Sequence, residues 1–596
     1  MNLKFLLKKA FPILRGMKLQ VFISVLLSLL GAISGGLSIG LIIPLIDDNS
    51  EEIFQELGID FFSSLVSNDL ISSEKDRIRY LAFLIIVFAL VEALMTVLSA
   101  FISVRLSSKI VSLLQSKLLN KHYQLDQKYA NEIDTGYFFS LISSNSLNIG
   151  ALFGIMLNGV KNIFIVMIYS YALLKVSLLM TISAFFLLAV FSTLVKAYFG
   201  SKLKTQSEVA LNSLETLNGS LIENIKNIKF IKSSGRWEDF EKRVNSLVDD
   251  YQNQWVKRSN INALSVPVFN SINSISIAFL LIAGTYIINQ PLEDWIPLMV
   301  PFVIIIFRLI SPINSLNSIR IRIEGVYPDL IKVLNFLDTS KLKKYEVGEK
   351  EFSKLESNII VKNLKFSYQE QKPSIISNLS LEIEKKNITA LIGPSGGGKT
   401  TLVDLLLKLY DYESGHIEIN NLQLKDIHTP SWQQKVAYVS QDPILFNTSI
   451  INNMNWFSPD SSEKDIIDSL KKAQIWDMVN NLEGGLDFVI KNNGSEFSGG
   501  QKQRLSVARA LLINAEVLIF DEATSQVDIS AEIEIYKILS TIKENLTVIV
   551  IAHRLSALEE VDKIMIIEKG RLTNSGNHFD LMKYSNFYSD SINKLT

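Results

Sequence analysis

The chain contains no cysteine and carries almost no net charge across its 596 residues. Without cysteine it can have no disulfide bonds, no thiol catalysis and no cysteine-ligated metal or cluster site. Lys and Arg number 59 against 60 Asp and Glu, so no overall field attracts nucleic acid. Internal repeats and low-complexity tracts are also missing. In contrast, 48% of the residues are hydrophobic and the mean hydropathy is +0.24, which is too apolar for an ordinary soluble domain.

The apolar residues are concentrated in long segments of the first half, which predicts a helical membrane domain. A basic N-terminus precedes the first segment, which is longer than a signal-peptide core, so we interpret it as a retained membrane helix. The six predicted spans are Gln20–Ile46, Tyr80–Val104, Ala151–Leu174, Ser177–Tyr198, Pro267–Ile288 and Trp295–Asn314.

The loops between the spans predict the orientation in the membrane. Lys and Arg are numerous between spans two and three and between spans four and five, whereas Asp47–Arg79 has nine acids and three bases. Basic loops stay inside, so both termini should be cytoplasmic. The two inner loops also carry apolar residues at helical spacing, which predicts helix pairs that extend beyond the bilayer. The alternative is a solvated helical hairpin without a partner.

The outer loop has a pattern of its own. Apolar residues at helical spacing among acids predict an amphipathic helix at the outer interface, although it could instead pack on the protein's own spans. These residues are Ile53, Phe54, Leu57, Phe61, Leu65 and Val66.

The second half predicts a different kind of domain. Residues 331–356 are charged and lack long apolar runs, which indicates a linker between a membrane domain at 1–330 and a domain at 357–596. In the latter, short apolar strands alternate with helical segments. This order predicts an α/β domain with a largely parallel sheet.

A glycine-rich loop, Gly393-Pro394-Ser395-Gly396-Gly397-Gly398-Lys399-Thr400, joins a strand to a helix in this domain. It fits the phosphate-binding pattern G-x-x-x-x-G-K-[ST] at every fixed position. Glycines let backbone N–H groups surround a phosphate, and the helix N-terminus adds partial positive charge. Lys399 can reach the β- and γ-phosphates, and the Thr400 hydroxyl can bind Mg²⁺. The alternative is a glycine turn without a ligand.

Two acids end a later apolar strand, Val517-Leu518-Ile519-Phe520-Asp521-Glu522. The carboxyl end of a strand is where α/β folds bind ligands, so Asp521 can hold Mg²⁺ and Glu522 can activate the attacking water. A second phosphate-binding turn, Ser498-Gly499-Gly500-Gln501, begins another helix. Two anion sites in one domain predict that ATP binds between two copies of the domain.

Together these motifs resemble the ATP-binding-cassette family over the whole chain, and six spans followed by one cassette resemble an exporter half-transporter. The resemblance implies an ATPase coupled to transport that uses ATP and Mg²⁺ and dimerises with a second copy or a paralogous half-transporter. It implies catalytic roles for Glu522, His553 and Gln441, and metal binding by Thr400, Gln441 and Asp521. The implied nucleotide contacts are Tyr368 (adenine stacking), Gly393, Ser395, Gly396, Gly398, Lys399, Thr400, Thr401, Ser498, Gly499, Gly500, Gln501 and Asp528.

The motifs differ from the family pattern at three places. Phe497 precedes the second turn where Leu is usual, and the segment Ser525–Asp528 reads Ser-Gln-Val-Asp instead of Ser-Ala-Leu-Asp. Lys491-Asn492-Asn493-Gly494 replaces the usual Gly-Glu-Arg-Gly. The last change puts the usual coupling contact to the membrane domain in doubt.

The substrate is less constrained by the sequence. Ile42–Ile46 with the outer loop, and Phe307–Pro312, resemble bacterial flippases of lipid-linked oligosaccharides. Lys161 and Arg308 lie within predicted spans, where a charge tends to be functional or paired, and both could attract an anionic head group. Glu92 could neutralise one of them, and both cations could instead reach the interface. We expect an amphiphile exporter or flippase; the alternatives are a peptide or drug exporter, a nucleotide-gated channel and an importer.

Overall fold

The computed structural model describes residues 15–41, 74–176, 178–287, 292–338, 348–368, 373–521, 536–541, 543–544, 546–552, 558–585 and 588–589. The chain divides into two compact units. One comprises Met1–Leu125 and Asn131–Leu342, and the other comprises Asp126–Ala130 and Lys343–Thr596.

The membrane unit is built from long helices. After a 3-10 turn at Arg15–Met17, the first half of the chain contains α1 (Lys18–Gly40), α2 (Glu74–Tyr123), α3 (Gln127–Glu132), α4 (Thr135–Ser140), a π-helical turn (Leu141–Asn145), α5 (Ser146–Val176), α6 (Leu178–Lys226), α7 (Ile228–Ser233), α8 (Trp237–Ile287) and α9 (Leu292–Leu337). Since about 20 residues cross a bilayer, helices of 46–51 residues extend far beyond it. The predicted helical extensions beyond the bilayer are confirmed, and their cytoplasmic location stays a prediction.

Five helices in the described part of the chain are long and apolar enough to cross a membrane. They contain all or most of the described residues of five predicted spans. The remaining one, Pro267–Ile288, lies in α8 as far as Ile287 and includes polar residues such as Asn270 and Ser271. Large apolar side chains such as Phe83, Leu90 and Phe186 are more than half exposed on these helices. Such side chains are suited to contact with lipid tails.

The predicted outer loop is shorter than expected at its C-terminal end. Helix α2 begins at Glu74, so Glu74–Arg79 is helical and not loop. The alternating charges of this segment favour a helix, and Arg79 pairs with Asp76 at 3.1 Å, three residues earlier. The apolar residues predicted to form an outer amphipathic helix, from Ile53 to Val66, lie outside the described residues.

Helix α1 packs against α2 through small residues. Ser24 and Ser28 are buried, and their hydroxyls lie 3.3 and 3.1 Å from that of Ser99. A Cβ on Gly31 would lie 3.5 Å from the Met95 Cβ. Small side chains allow helix backbones to approach closely and to hydrogen-bond where water is absent. This face of α1 therefore fixes the contact between the first two spans.

The second unit has two sheets. The four-stranded antiparallel sheet has the order β2-β1-β4-β5, and the six-stranded sheet has the order β10-β9-β3-β8-β7-β6, parallel except for β10. The strands are β1 (Ile359–Phe366), β2 (Ile376–Ile383), β3 (Ile388–Ile392), β4 (Ser414–Ile419), β5 (Leu422–Gln423), β6 (Val436–Val439), β7 (Val517–Asp521), β8 (Thr547–Ile551), β9 (Lys563–Glu568) and β10 (Arg571–Gly576). The predicted α/β class is confirmed.

Helices cover the parallel sheet, whose strands β3, β7 and β8 are buried at every position. Continuous burial explains their uninterrupted apolar sequences. The helices are α10 (Lys399–Leu406), α11 (Thr429–Gln433), α12 (Ile450–Asn455), α13 (Glu463–Lys472), α14 (Trp476–Asn480), α15 (Gly499–Leu512) and α16 (His578–Tyr584), with 3-10 turns at Leu424–Asp426, Gly485–Asp487 and Leu558–Glu560. Residues 536–541 are also helical.

The segment predicted as a linker, 331–356, is in part helical, because α9 continues to Leu337. Phe352 and Leu355 are buried in the core of the second unit with Trp432, and the Phe352 and Trp432 rings meet edge to face at 4.9 Å. The structured parts of both units thus extend into the charged segment.

Candidate nucleotide site and membrane cations

The glycine-rich loop connects β3 to α10, as the sequence predicts. Gly393 has φ of +143°, and a Cβ there would lie 2.1 Å from the Ile567 carbonyl oxygen, so no other residue fits. Gly398 is the N-cap of α10 at φ +104°. Ser395, Gly396 and Thr400 are exposed on the outer side of the loop. The loop therefore presents backbone and a hydroxyl group to an incoming anion.

Lys399 lies inside the curve of the loop. Its side chain is buried, with the residue 5% exposed, and its ammonium group donates to the carbonyl oxygens of Gly393 at 2.8 Å and Pro394 at 3.1 Å. A flexible ammonium group held by neutral carbonyls can exchange these partners for phosphate oxygens, which are stronger acceptors. The position fits the predicted phosphate contact.

Asp521 ends β7 and is 6% exposed. Its Oδ2 accepts a hydrogen bond of 3.0 Å from the Tyr438 hydroxyl on the neighbouring strand β6. Burial, and then the charge of Asp521, raise the pKa of Tyr438, so this phenol remains a donor. Sequence reasoning did not identify Tyr438. The sheet order, which places β6 beside β7, is what brings Tyr438 to Asp521.

Asp404 is a second acid that the sequence reasoning missed. Burial and the nearby charge of Asp521 raise its pKa to about 6, although a hydrogen bond from Tyr368 acts in the opposite direction. It lies on α10, and its Oδ2 is 3.2 Å from the Tyr368 hydroxyl. The two carboxyl groups place negative charge beside the loop, where a divalent cation would be attracted.

Tyr368 is half-buried and held at its hydroxyl end by Asp404 and by Thr401, whose hydroxyl is 3.3 Å away. Its ring meets Phe366 and Tyr410 edge to face at 5.0 and 5.1 Å. The hydroxyl contacts with Asp404 and Thr401 join the tyrosine to α10, the helix that follows the loop. Adenine stacking by Tyr368 stays a prediction.

The oxygen-donating side chains present would form a Mg²⁺ site only together with the phosphates of a bound nucleotide. In the part of the chain that the structure describes, no three His, Cys, Asp or Glu side chains form a metal-binding group. The Thr400 hydroxyl and the Asp521 carboxylate are oxygen donors of the kind Mg²⁺ prefers, and phosphates and water usually complete its shell. Gln441 is exposed in the turn after β6, where the Ser440 hydroxyl donates to the Asp442 carbonyl.

The sheet order brings several predicted residues to one edge. The loop follows β3, Asp521 ends β7, and β8 lies between these strands, so all three carboxyl ends share that edge. Glu522 comes directly after β7, and His553 comes two residues after β8. Glu522, His553 and Asp528 themselves lie outside the described residues, so their roles stay predictions.

The second phosphate-binding turn begins α15. Ser498 is the exposed N-cap and forms a reciprocal capping box with Gln501, in which each side chain accepts from the other residue's backbone N–H. Gly499 and Gly500 form the first turn. Phe497 is buried and packs on Phe488 at 6.0 Å between ring centres. The unusual phenylalanine therefore fills the core and leaves the helix N-terminus accessible.

The departure at Asn492 has a local explanation. Asn492 and Asn493 have φ of +45° and +54°, a conformation that asparagine tolerates better than most residues. The Asn493 N–H donates to Asn447 at 2.9 Å, and the Lys491 N–H donates to the Glu496 carboxylate at 3.0 Å. The backbone turn selects asparagine at these two positions.

In the membrane unit, Lys161 is paired. Its ammonium group donates to the Glu92 carboxylate at 2.6 Å and to the Thr96 hydroxyl at 2.8 Å. A Cβ on Gly35 would lie 2.8 Å from the same carboxylate, so α1, α2 and α5 meet at this ion pair. Arg308 is exposed on α9. Glu92 therefore neutralises Lys161, which was one of the two possibilities that the sequence offered. Arg308 is the more accessible of the two predicted cations.

Comparisons with known proteins agree with both units. A model of the ABC transporter transmembrane region matches residues 20–309, and a model described as ABC transporter matches 376–525. A bacterial Atm1-family ABC exporter solved with ATP bound superimposes at a TM-score of 0.83, with 21% identity, over 98% of this chain and 100% of that chain. This likeness shows the fold.

Curated relatives include two proteins named ATP-dependent lipid A-core flippase. The one from Francisella novicida is 32% identical over 66% of each chain, and the one from Pasteurella multocida is 28% identical over 86% of this chain and 88% of its own. A putative multidrug export ATP-binding/permease protein of Bacillus subtilis is 27% identical over 81% and 83%. The chain therefore belongs to the ABC transporter family, as an integral membrane protein whose ATPase domain couples ATP hydrolysis to transport.

Proposed function

We propose that this chain is one half of a homodimeric flippase of the bacterial inner membrane that moves an anionic amphiphile, best a lipid-linked oligosaccharide or related lipid. The match to relatives named lipid A-core flippase supports a lipid with a large polar head. The accessible guanidinium group of Arg308 within a predicted span supports an anionic head. Both termini and the ATPase domain would be cytoplasmic.

The nucleotide chemistry follows from the positions of the chain's own residues. The loop N–H groups and Lys399 would bind the phosphates, and the Tyr368 ring would stack on adenine. Thr400, Asp521 and Gln441 would hold Mg²⁺, which when bound neutralises phosphate charge. Glu522 would orient water as general base and His553 would contact the γ-phosphate. Ser498, with its neighbours Gly499–Gln501, would cap ATP held by the other subunit.

The test of the transport class is ATPase activity of the full chain in lipid nanodiscs, measured with a panel of amphiphiles. Anionic lipid-linked glycans should stimulate hydrolysis more than neutral or cationic amphiphiles of equal chain length. Strong stimulation by a neutral peptide, and none by the anionic lipids, would contradict the proposed substrate. The relative from Bacillus subtilis favours a drug as the second candidate, which cationic amphiphiles in the same panel would reveal.

The nucleotide assignments have separate tests. Lys399→Ala should weaken ATP binding by about tenfold or more, because a charge-assisted phosphate contact contributes ~1.5–3 kcal/mol. Ser498→Arg should leave ATP binding to one subunit intact and prevent ATP-dependent association, measured by cross-linking between subunits. ATP-dependent association of the Ser498→Arg variant at the unmodified level would contradict the shared site.

A further inference from the structure

A cavity of about 300 Å³ lies where helices α5, α6, α8 and α9 meet in the membrane unit. Its polar lining includes two arginines, Arg258 and Arg322, and the neutral groups Asn148, Ser259 and Asn262. These residues are separate from the Glu92–Lys161 pair, and none of them belongs to the nucleotide site. The cavity is therefore a feature that the motifs do not explain.

The cavity lies on the cytoplasmic side of the predicted spans. Asn148 comes just before the span that begins at Ala151, and Arg258 precedes the span that begins at Pro267. Arg322 comes eight residues after the predicted end of the last span, which corresponds to about 12 Å along a helix. This depth is that of the inner-leaflet head groups or just below them.

The lining combines positive charge with an apolar wall. Arg322 is exposed and Arg258 is half-buried, and none of the described residues lining the cavity is acidic. Leu152, Ile155 and Leu203 form part of the remaining wall. Two guanidinium groups suit the oxygens of a phosphate, whereas the leucine and isoleucine side chains suit a hydrocarbon chain.

A buried acid, Asp329, lies behind the cavity lining and fixes the orientation of one lining side chain. Asp329 is fully buried on α9, and its Oδ1 accepts a hydrogen bond of 2.9 Å from the Asn148 amide. This bond fixes the amide at the edge of the cavity. Asp329 also interacts electrostatically with Arg258, whose guanidinium group donates a long 3.5 Å bond to the Gly325 carbonyl. Arg322 is therefore the cation that has more of its charge available to a ligand.

We infer that this cavity binds the phosphate group of an amphiphile at the cytoplasmic face, before the amphiphile reaches the span that carries Arg308. The inference rests on the proposed function and deepens it by adding a separate entry site. A phosphate would contact Arg322 and Arg258, with Asn262 and Ser259 as neutral donors, while the hydrocarbon chain would follow the apolar wall. Trp255, exposed at the edge, would cover the bound chain.

The test uses the full chain in phosphatidylcholine nanodiscs and a dodecyl phosphate that carries a photoreactive diazirine at the end of its chain. Because the diazirine is at the end of the chain that follows the apolar wall, labelled peptides identified by mass spectrometry should contain Leu152, Ile155, Leu203 or Trp255. Arg322→Gln should weaken dodecyl phosphate binding by about tenfold, since a charge-assisted hydrogen bond is lost. Arg258→Gln should have a smaller effect, and Arg322→Lys should restore part of the affinity.

The matched control is Arg320→Gln, which removes the same charge two residues away on α9 from a residue that does not line the cavity. It should bind dodecyl phosphate like the unmodified chain. Equal losses in Arg320→Gln and Arg322→Gln, or labels confined to other regions, would overturn the entry site. The labelling pattern of the unmodified chain decides the matter even if Arg322→Gln fails to fold.

Two further comparisons distinguish an amphiphile from free phosphate as the ligand, and the entry site from the flippase proposal. Inorganic phosphate should compete at least tenfold more weakly than dodecyl phosphate; equal competition would make this a site for free phosphate and overturn the amphiphile. If anionic lipids stimulate ATPase activity but nothing labels the cavity, the entry site is wrong and the flippase proposal stands. If labelling occurs but no anionic amphiphile stimulates hydrolysis, the flippase proposal is wrong.

Discussion

The two units of the chain hold their polar groups in different ways. In the ATPase domain, the loop, Asp521 and Ser498 lie at strand ends and helix starts, so the backbone places them. In the membrane unit, Lys161 and Glu92 come from different helices and hold each other. Polar groups that the backbone positions occur in short sequence motifs, whereas the pairing of two side chains depends on how their helices pack. Changes in the first unit should therefore affect chemistry, and changes in the second should affect stability and substrate response.

The largest expected effect tests the first half of this comparison. Glu522→Gln should bind ATP normally but hydrolyse it ~10²–10⁴-fold more slowly, because a general base contributes about that much. Steady-state ATPase activity and ATP titration measure the two quantities separately. The control Glu483→Gln changes an exposed glutamate in the same domain and should hydrolyse ATP normally. Rapid turnover by Glu522→Gln would remove this residue from the mechanism.

The second prediction concerns the membrane ion pair. Lys161→Met leaves Glu92 without its cation, and an unpaired charge within a span costs up to about 3 kcal/mol. We expect a thermal unfolding midpoint several degrees lower in nanodiscs, with much of the loss recovered in the double variant Glu92→Gln, Lys161→Met. Additive losses in the double variant would show that the two side chains do not interact. Lys202→Met, which lies on α6 outside the pair, is the control.

Tyr438→Phe tests the hydrogen bond to Asp521. Loss of a hydrogen bond to a carboxylate costs about 1–2 kcal/mol, which corresponds to a roughly five- to thirtyfold change in an equilibrium. Because the freed carboxylate is less well oriented, we expect a higher Mg²⁺ concentration for half-maximal ATPase activity. Tyr584→Phe, at a residue 80% exposed, is the matched control. An unchanged Mg²⁺ dependence would make Tyr438 a packing residue only.

The smallest expected effect is the pH dependence that comes from Asp404. Its pKa of about 6 in the folded chain lies above the ordinary value, so the folded state binds more protons between about pH 4 and pH 6. This group therefore adds stability as pH falls from about 6 and removes it as pH rises through 6. Unfolding midpoints from pH 4.5 to 7.5 should show this slope in the unmodified chain. Asp404→Asn should reduce it, and an identical slope in both would contradict the assignment.

Much of the ATPase domain could be predicted because its information is local. The glycine loop, the acid-ending strand and the serine-capped helix are each contained in a few residues, and local spacing dictates their backbone. Glu92 and Lys161 are 69 residues apart, so their pairing depends on the rotation of α2 and α5, which spacing within each helix does not specify. Tyr438 and Asp404 were missed for the same reason, because sheet order and a helix face bring them to Asp521.

Apolar runs alone describe the spans incompletely. Among the described residues, five helices are long and apolar enough to cross a membrane, and the predicted fifth span begins in α8 with polar residues such as Asn270 and Ser271. Such residues are tolerated where neighbouring helices or a cavity receive them, which is information that comes from packing. The charged residues Arg258 and Arg322 illustrate the same point, because only the meeting of four helices makes them line one cavity.

The length of the helices has a mechanical consequence. Helix α6 has 49 residues and is therefore about 73 Å long, of which a bilayer encloses less than half. If such a helix tilts as a stiff rod about its outer end, a rotation of about 5° moves its inner tip by roughly 6 Å. A displacement of less than 1 Å close to the outer end thus corresponds to a displacement of roughly 6 Å at the inner tip. In the proposed orientation, the helix would act as a lever with its long arm in the cytoplasm.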